Sequence, residues 1–364
     1  MTAVVQRKVK PEEDGLRLDR WFARHYPQLT HGRLEKLLRT GQVRVDGARV
    51  KAGHRIALGQ TVRVPPIPVA APELLAAKPK PKFSAKDRAF VESLVLYRDA
   101  DVIVLNKPSG LAVQGGTKTE RHLDGLLPAL AEEGKDRPRL VHRLDRDTSG
   151  VMVVAANARA AAQLAHAFRA RDTRKIYWAL TTGVPTPRRG KIDGALIKRA
   201  AADGRERMHI AEEGEDDDAK NAVTVFDTID HVTTMAWVAL MPLTGRTHQL
   251  RAHMAAIETP IVGDGKYGRE PARTHGEVQN RLMLHARSLR IRHPNGKWLE
   301  VTAPLPPHMA KLWDLFGFDK DDKRNPFKDF EAEAPRTDYS RENRPLDRAK
   351  ERLPKRGKVR SKKA

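Results

Sequence analysis

Residues 139–156 read RLVHRLDRDTSGVMVVAA, and the change of character inside that stretch sets the architecture around it. Arg139-Leu140-Val141 is a short, strand-like lead. His142 to Ser149 is dense in charge and hydroxyl groups, with Asp145 and Asp147 on either side of Arg146 and Arg143 two residues before Asp145. Val151 to Ala156 is then an unbroken apolar run, the mark of a buried strand. The pattern puts a polar turn at the mouth of a buried strand. Taken alone, that turn is equally well read as a capped, ion-paired loop without chemistry.

Neighbouring segments extend the theme. Val102 to Leu105 is a second short buried run, and Lys175–Leu180 and Met235–Leu240 read as further strands. Ala158 to Ala170 carries Ala161, Leu164, Ala165 and Phe168 at helical spacing, and Thr247 to Ile257 reads as another helix. Strands outnumber long helices, and strand and helix do not alternate regularly. That balance predicts an α+β body over residues 91–318, built on a mixed, mainly antiparallel sheet with flanking helices rather than a doubly wound parallel one.

The chain has 364 residues, enough for two or three domains at about 100–200 residues each. It has no cysteine, which excludes disulfide frameworks, iron–sulfur clusters, cysteine-ligated zinc and thiol nucleophiles. The same lack fits a reducing compartment. Neither the N-terminal MTAVVQRKVKPEEDG nor any later stretch has the apolar run of a signal peptide or a membrane span. The expectation is a soluble cytoplasmic protein, and nothing demands more than a monomer.

Lys and Arg number 68 against 46 Asp and Glu, a net charge of +22. Such a surplus points to a polyanion, because each cation set on a phosphate releases condensed counterions. The charge is unevenly placed. Residues 15–65 hold 11 Lys/Arg and 3 Asp/Glu, and residues 344–364 hold 10 and 2, so the two ends supply 16 of the 22. The organisation expected is a basic module at 15–65, a proline-rich linker at 66–90, a near-neutral body and a charged, disordered tail at 319–364. Six prolines between Pro65 and Pro81 make the linker semi-rigid and extended. The acidic run Glu212–Asp218 reads as a solvated loop.

Within the basic module, apolar residues at 18, 21 and 22 predict a helix that Pro27 ends. Thr30 is a plausible N-cap for a second helix, His31–Thr40, with Gly41 as its stop. Leu34, Leu37 and Leu38 form one face of that helix, while Arg33, Lys36 and Arg39 lie mostly on the other. Asp46-Gly47 between alternating residues predicts a tight hairpin over Val43–Val50. Two short helices, a small hairpin and cations on one helical face resemble the S4 RNA-binding domain. The charged face would position the protein on phosphates and carries no evident base-reading code.

Several familiar sites are missing. The chain has no GxxxxGK[ST] phosphate loop, no GxGxxG at a strand-to-helix turn, no GxSxG elbow and no HExxH. His248 and His253 are five apart, a poor helical spacing for metal ligands, so structural roles are expected for both. A catalytic body is therefore expected to work without cofactor or metal.

The motifs HRLDRDTSG at 142–150, KIYWAL at 175–180, TGRTHQLRAHM at 244–254, GDGKYG at 263–268 and LHA at 284–286 follow in one order and spacing. With NKPSGLAVQGG at 106–116 in front of them, they resemble the RluA family of pseudouridine synthases. The S4-like module in addition resembles the RluC-type branch, which acts on large-subunit ribosomal RNA. The likeness covers about residues 14–318.

That resemblance implies an isomerase. The C1′–N1 bond of a uridine breaks, the base turns, and a C1′–C5 bond forms, with no electron, hydride or phosphate exchanged. It makes Asp145 the catalytic carboxylate, ionised so as to attack as a nucleophile or to take a proton from the ribose. It makes Arg246, the arginine of GRTHQ, the fixed cation expected beside Asp145. It makes Tyr177 the tyrosine that stacks on the extracted base. Arg143 would enter the stack vacated by the flipped nucleotide, His142 and Arg146 would support the loop or touch phosphates, and Leu284 would line the uracil pocket. Two other readings stay open on sequence: a non-catalytic S4-containing ribosome-assembly factor, and an S4-fused RNA methyltransferase, which would need a glycine-rich methyl-donor loop.

Overall fold

The computed structural model describes residues 4–67, 83–116, 119, 121–170, 173–200, 206–212, 218–268 and 281–328. The chain divides between Ser84 and Ala85 into two units. The charged tail at 344–364, most of the proline-rich linker and the centre of the acidic run lie outside the described residues.

In the first unit the elements are β1 (Val5–Lys8), α1 (Leu18–His25), α2 (His31–Arg39), β2 (Arg44–Val45) and β3 (Thr61–Val64). β3 is the centre of a three-stranded antiparallel sheet in the order β1-β3-β2. Leu18, Trp21 and Phe22 of α1 and Leu34 and Leu38 of α2 are buried in one cluster with Val43, Val45, Val62 and Val64. Each such side chain contributes about 1.5–3 kcal/mol on leaving water, so the unit has a core of its own. Arg33, Lys36 and Arg39 stand exposed on the far side of α2. Thr30 occupies the cap position without a capping side-chain bond.

Two expectations change here. Asp46 and Gly47 do form the tight turn, with φ of 47° and 77° and paired bonds between Val45 and Ala48. The strand that β2 joins, however, is β3 and not residues 48–50. The unit also starts before residue 15. β1 pairs along Val5–Lys8 with β3, and Val9 is buried, because β3 has two edges and the hairpin covers only one.

The second unit contains α3 (Ala85–Ser93), β4 (Val95–Arg98), β5 (Val102–Lys107), α4 (Leu123–Leu126), β6 (Arg139–Leu140), β7 (Ser149–Ala155), α5 (Ala158–Arg169) and β8 (Arg174–Thr182). It continues through β9 (Arg189–Asp193), β10 (Leu196–Ala200), β11 (Glu206–Ile210), β12 (Val223–His231), β13 (Met235–Pro242), α6 (Gln249–Ala256), β14 (Leu284–Arg292), β15 (Trp298–Thr302) and α7 (Pro307–Phe316). The main sheet runs β4-β5-β7-β14-β8-β13-β12-β9, with β6 beside β7 and β15 beside β14, and β10 and β11 make a separate hairpin. Its pairings are antiparallel except β7 with β14. The sheet is mixed and mainly antiparallel, as expected.

Two cores form around the sheet. α5 buries Ala160, Leu164 and Ala167 with valines of β5 and β7. Trp178, Trp237 and Trp313 meet in the other, with Trp178 and Trp237 edge to face at 4.6 Å. Edge-to-face pairs of this kind add about 0.5–1.5 kcal/mol beyond burial. Residues 85–90, expected as linker, already belong to this unit: they open α3, whose Val91 is fully buried. The body likewise does not stop at 318: Phe327 is completely buried in the tryptophan core. An aromatic ring among charged neighbours is easily overlooked in sequence, yet it closes one side of that core.

Candidate active site

The polar turn lies between β6 and β7, at the middle of the sheet. Its exit is fixed by close backbone approach. Gly150 has φ of 109°, and a Cβ there would stand 2.2 Å from the Ala286 carbonyl oxygen. Only glycine admits the parallel pairing of Ser149-Gly150 with His285-Ala286. The Ser149 hydroxyl and His285 Nδ1 lie 2.9 Å apart beneath it.

The turn is held from below by the NKPSG segment. Lys107, completely buried, donates from Nζ to the carbonyls of Pro108, Leu111 and Arg146 at 2.9, 2.8 and 2.8 Å. Gly110 N–H also donates to the Arg146 carbonyl, and the Ser109 hydroxyl donates to that of Asp147. Burial lowers the Lys107 pKa to about 7, with the carboxylates of Asp147 and Asp145 opposing the shift. Asp145 is thereby presented from a fixed backbone.

Around the Asp145 carboxylate stand three groups. Arg251 Nη1 is 3.9 Å from Oδ2, and His248 Nε2 is also 3.9 Å from it. Tyr177, partly buried on β8, has its pKa pushed up by burial and by the Asp145 charge, so it stays a phenol at neutral pH. Arg251 is itself fixed by a bidentate pair, Nε and Nη2 to the two oxygens of Asp264 at 2.7 Å each, and the Asp264 side chain is fully buried. Burial alone would lower the Arg251 pKa, but Asp264 and Asp145 keep it raised. The guanidinium is therefore a permanent charge in a set orientation. Burial lowers the His248 pKa, with Asp145 pulling the other way. His248 sits in the left-handed region at φ 54°, where its Nδ1 meets the Tyr267 hydroxyl at 2.9 Å.

A carboxylate, a fixed guanidinium and a half-buried phenol at one opening suit a reaction at a sugar carbon with an aromatic base held alongside. The described residues hold no cluster of three or more His, Cys, Asp or Glu that would fit a metal ion. Residues 101–256 match the sequence profile of the family described as RNA pseudouridylate synthase. The Ribosomal large subunit pseudouridine synthase C of Escherichia coli (strain K12) is 34% identical over 302 residues, covering 82% of this chain and 92% of that one.

The chain belongs to the RluA family of RNA pseudouridine synthases.

RNA pseudouridine synthase 4, mitochondrial, of Arabidopsis thaliana is 40% identical over 68% of this chain, which spans 59% of that protein's length. Among solved structures, Human RNA Pseudouridylate Synthase Domain Containing 4 superposes with a TM-score of 0.54 at 30% identity, over 63% of this chain and 96% of that one.

Against this family background, the residues singled out by sequence fall into two groups. Asp145 and Tyr177 come together, and Leu284, buried at the start of β14, belongs to the cluster on which Tyr177 packs. Arg143 is exposed, and its side chain has no hydrogen bond or ion pair among the described residues. Arg146 turns back on its neighbour, pairing through Nε with Asp147 at 3.0 Å.

One expectation is corrected. Arg246 is not the cation beside Asp145. Its Nε donates to the Asn221 carbonyl at 2.9 Å and its backbone N–H to Gln249 Oε1 at 3.0 Å. Buried Gln249 ties this loop to Thr244 and to Val223, which turns the Arg246 side chain outward. α6 begins only at Gln249, so Arg251, two residues into it, reaches Asp145 instead. Of the two roles expected for His142, the structure shows support of the loop. Its Nε2 accepts from Val153 N–H at 2.9 Å, its ring lies 4.4 Å from that of Phe168, and burial, aided by the nearby Lys175 charge, drops its pKa to about 3. It holds the loop onto β7 as a neutral acceptor.

Lys107, Arg251 and Asp264 carry no role in the sequence reading, and His248, expected to be structural, stands beside Asp145 instead. One signal was present: an arginine inside a helix that the GDG acid can pair with. His253 is structural, as expected, buried and bonded to the Thr224 hydroxyl.

Proposed function

We propose that this chain converts uridine to pseudouridine in large-subunit ribosomal RNA, with ionised Asp145 as the catalytic carboxylate. What carries the reading is the Asp145–Arg251 contact at the mouth of a loop clamped by Lys107. Arg251 sets a positive charge that cannot titrate beside that carboxylate. Attack on the ribose and abstraction of a ribose proton both require the ionised state. Reactant and product are isomers, so no cofactor is consumed.

Tyr177 supplies the surface for the detached uracil, next to Leu284. Its raised pKa keeps the hydroxyl protonated while the base turns. Arg143, exposed and without a side-chain partner among the described residues, occupies the gap left by the flipped nucleotide, where a guanidinium plane both stacks and hydrogen-bonds. Flipping costs a few kcal/mol, which such an insertion offsets in part. Arg33, Lys36 and Arg39 on the outer face of α2 lie on RNA phosphates, as does the outward Arg246. The RNA is the sole partner required, and the reading carries with it a cytoplasmic monomer.

The deciding experiment is Asp145→Asn, which keeps the size and removes the charge. The purified variant is expected to form no pseudouridine in transcribed large-subunit ribosomal RNA fragments, scored by mass spectrometry, while binding them within about threefold of wild type. Product from the Asn variant would remove Asp145 from the chemistry.

A further inference from the structure

β8 carries Lys175 two residues before Tyr177, so both side chains leave the same face of the strand with their Cα atoms about 7 Å apart. The Lys175 ammonium lies beside the loop of residues 243–248: a Cβ built on Gly245 would stand 4.0 Å from Nζ and meet nothing else within that distance. On its other side it is close enough to His142 to disfavour a charge on that ring. The two motif loops that flank the site thus both approach this one amine.

Lys175 contrasts with Lys107. Lys107 spends its three N–H bonds on three carbonyls. Among the described residues, the Lys175 ammonium has no hydrogen bond and no ion pair. It is half-buried, and burial lowers its pKa without a carboxylate to oppose the shift. A cation withdrawn from water without an acceptor destabilises the fold that holds it. That cost is recovered when an anion arrives, and the interaction is stronger where water is partly excluded. RNA brings one kind of anion, the phosphodiester.

We propose that Lys175 binds a phosphodiester oxygen adjacent to the target nucleotide, fixing the sugar against Asp145 while the base lies on Tyr177. The inference rests on the reading of this chain as an RNA-modifying isomerase and adds a substrate contact to it. An ammonium on a flexible stem suits this position, because the phosphate must swing as the nucleotide leaves its helix and a point charge tolerates the rotation. The contact acts on placement of the ribose, so its loss falls mainly on KM.

The test uses the full chain and a transcribed ribosomal RNA fragment in which wild type makes a mapped pseudouridine. Lys175→Met keeps the stem and removes the charge. KM is expected to rise about tenfold, and the slope of log affinity against log salt to become shallower by about 0.7–0.9, the value of one phosphate contact. Lys175→Arg is expected to restore most of both. A neutral methylphosphonate at the linkage flanking the target should weaken wild type to the level of Lys175→Met and leave that variant no weaker still. An unchanged salt slope and KM in Lys175→Met overturn the proposal, as does equal loss in both proteins from the methylphosphonate at each flanking linkage. If Lys175→Met does not fold, the methylphosphonate with wild type decides, no loss of affinity at either linkage being the negative result. Failure of wild type to form product in the same samples would sink the wider reading instead.

Discussion

At the scale of single residues, the site turns on which arginine faces Asp145. Both candidates sit in one motif, five residues apart, and sequence alone favours the one after the glycine. The choice is settled by where α6 begins and by a carboxylate thirteen residues further on. Gln249 fastens the loop so that Arg246 points outward, and Asp264 fastens Arg251 inward. Arg251→Lys keeps a charge but loses the two-pronged grip, and is expected to lower the single-turnover rate about 100-fold, comparable to losing one preorganised donor. Arg246→Lys is expected to stay within about tenfold of wild type. Measuring both in parallel, with melting temperatures as a check on folding, distinguishes them; equal losses would contradict the assignment. Asp145 and Tyr177 were legible because short motifs preserve them in sequence. Lys107 was not, because its role is to satisfy carbonyls of a loop that sequence places thirty-nine residues away.

At the scale of elements, the strands and helices of the body follow from apolar periodicity, and β5, β7, α5, β8 and β13 lie where the spacing puts them, while α6 starts two residues later than expected. Pairing was less legible, since a strand's partner is set by what else competes for its edge; β2 and β3 illustrate this. The first unit also has a polar anchor that no periodicity reveals. Buried Glu13 accepts from Lys10 N–H at 3.0 Å and Trp21 Nε1 at 3.1 Å, and meets His25 Nε2 at 2.5 Å. Burial works to raise its pKa, but these donors outweigh it and lower the value to about 2. A depressed carboxyl pKa stabilises the fold above the unfolded value near 4.5 and ceases to do so as pH falls through the folded one. Glu13→Gln is therefore expected to cost about 2–3 kcal/mol at pH 7. The gap to wild type should close between about pH 4.5 and 2. Denaturant melts of the two proteins across that range check the sign; a gap that widens on acidification would be the wrong outcome.

At the scale of the whole molecule, charge was the most legible property and the least informative about chemistry. The surplus announces a polyanion, and α2 presents three of its cations on one exposed face. Replacing Arg33, Lys36 and Arg39 together by Gln should make RNA affinity about two units less steep in log salt, given about 0.7–0.9 per phosphate lost. A titration series from low to moderate salt reads this directly, and an unaltered slope would assign RNA contact elsewhere. The extent of the folded body was less legible, because a run of Asp and Lys after Phe318 looks like the start of a solvated tail. Phe327 sits beyond that run and yet completes the tryptophan core. Anyone trimming this chain for crystallisation at residue 318, where the motif-bearing stretch ends, would leave a ring-sized void in that core, so shortened versions have to retain Phe327.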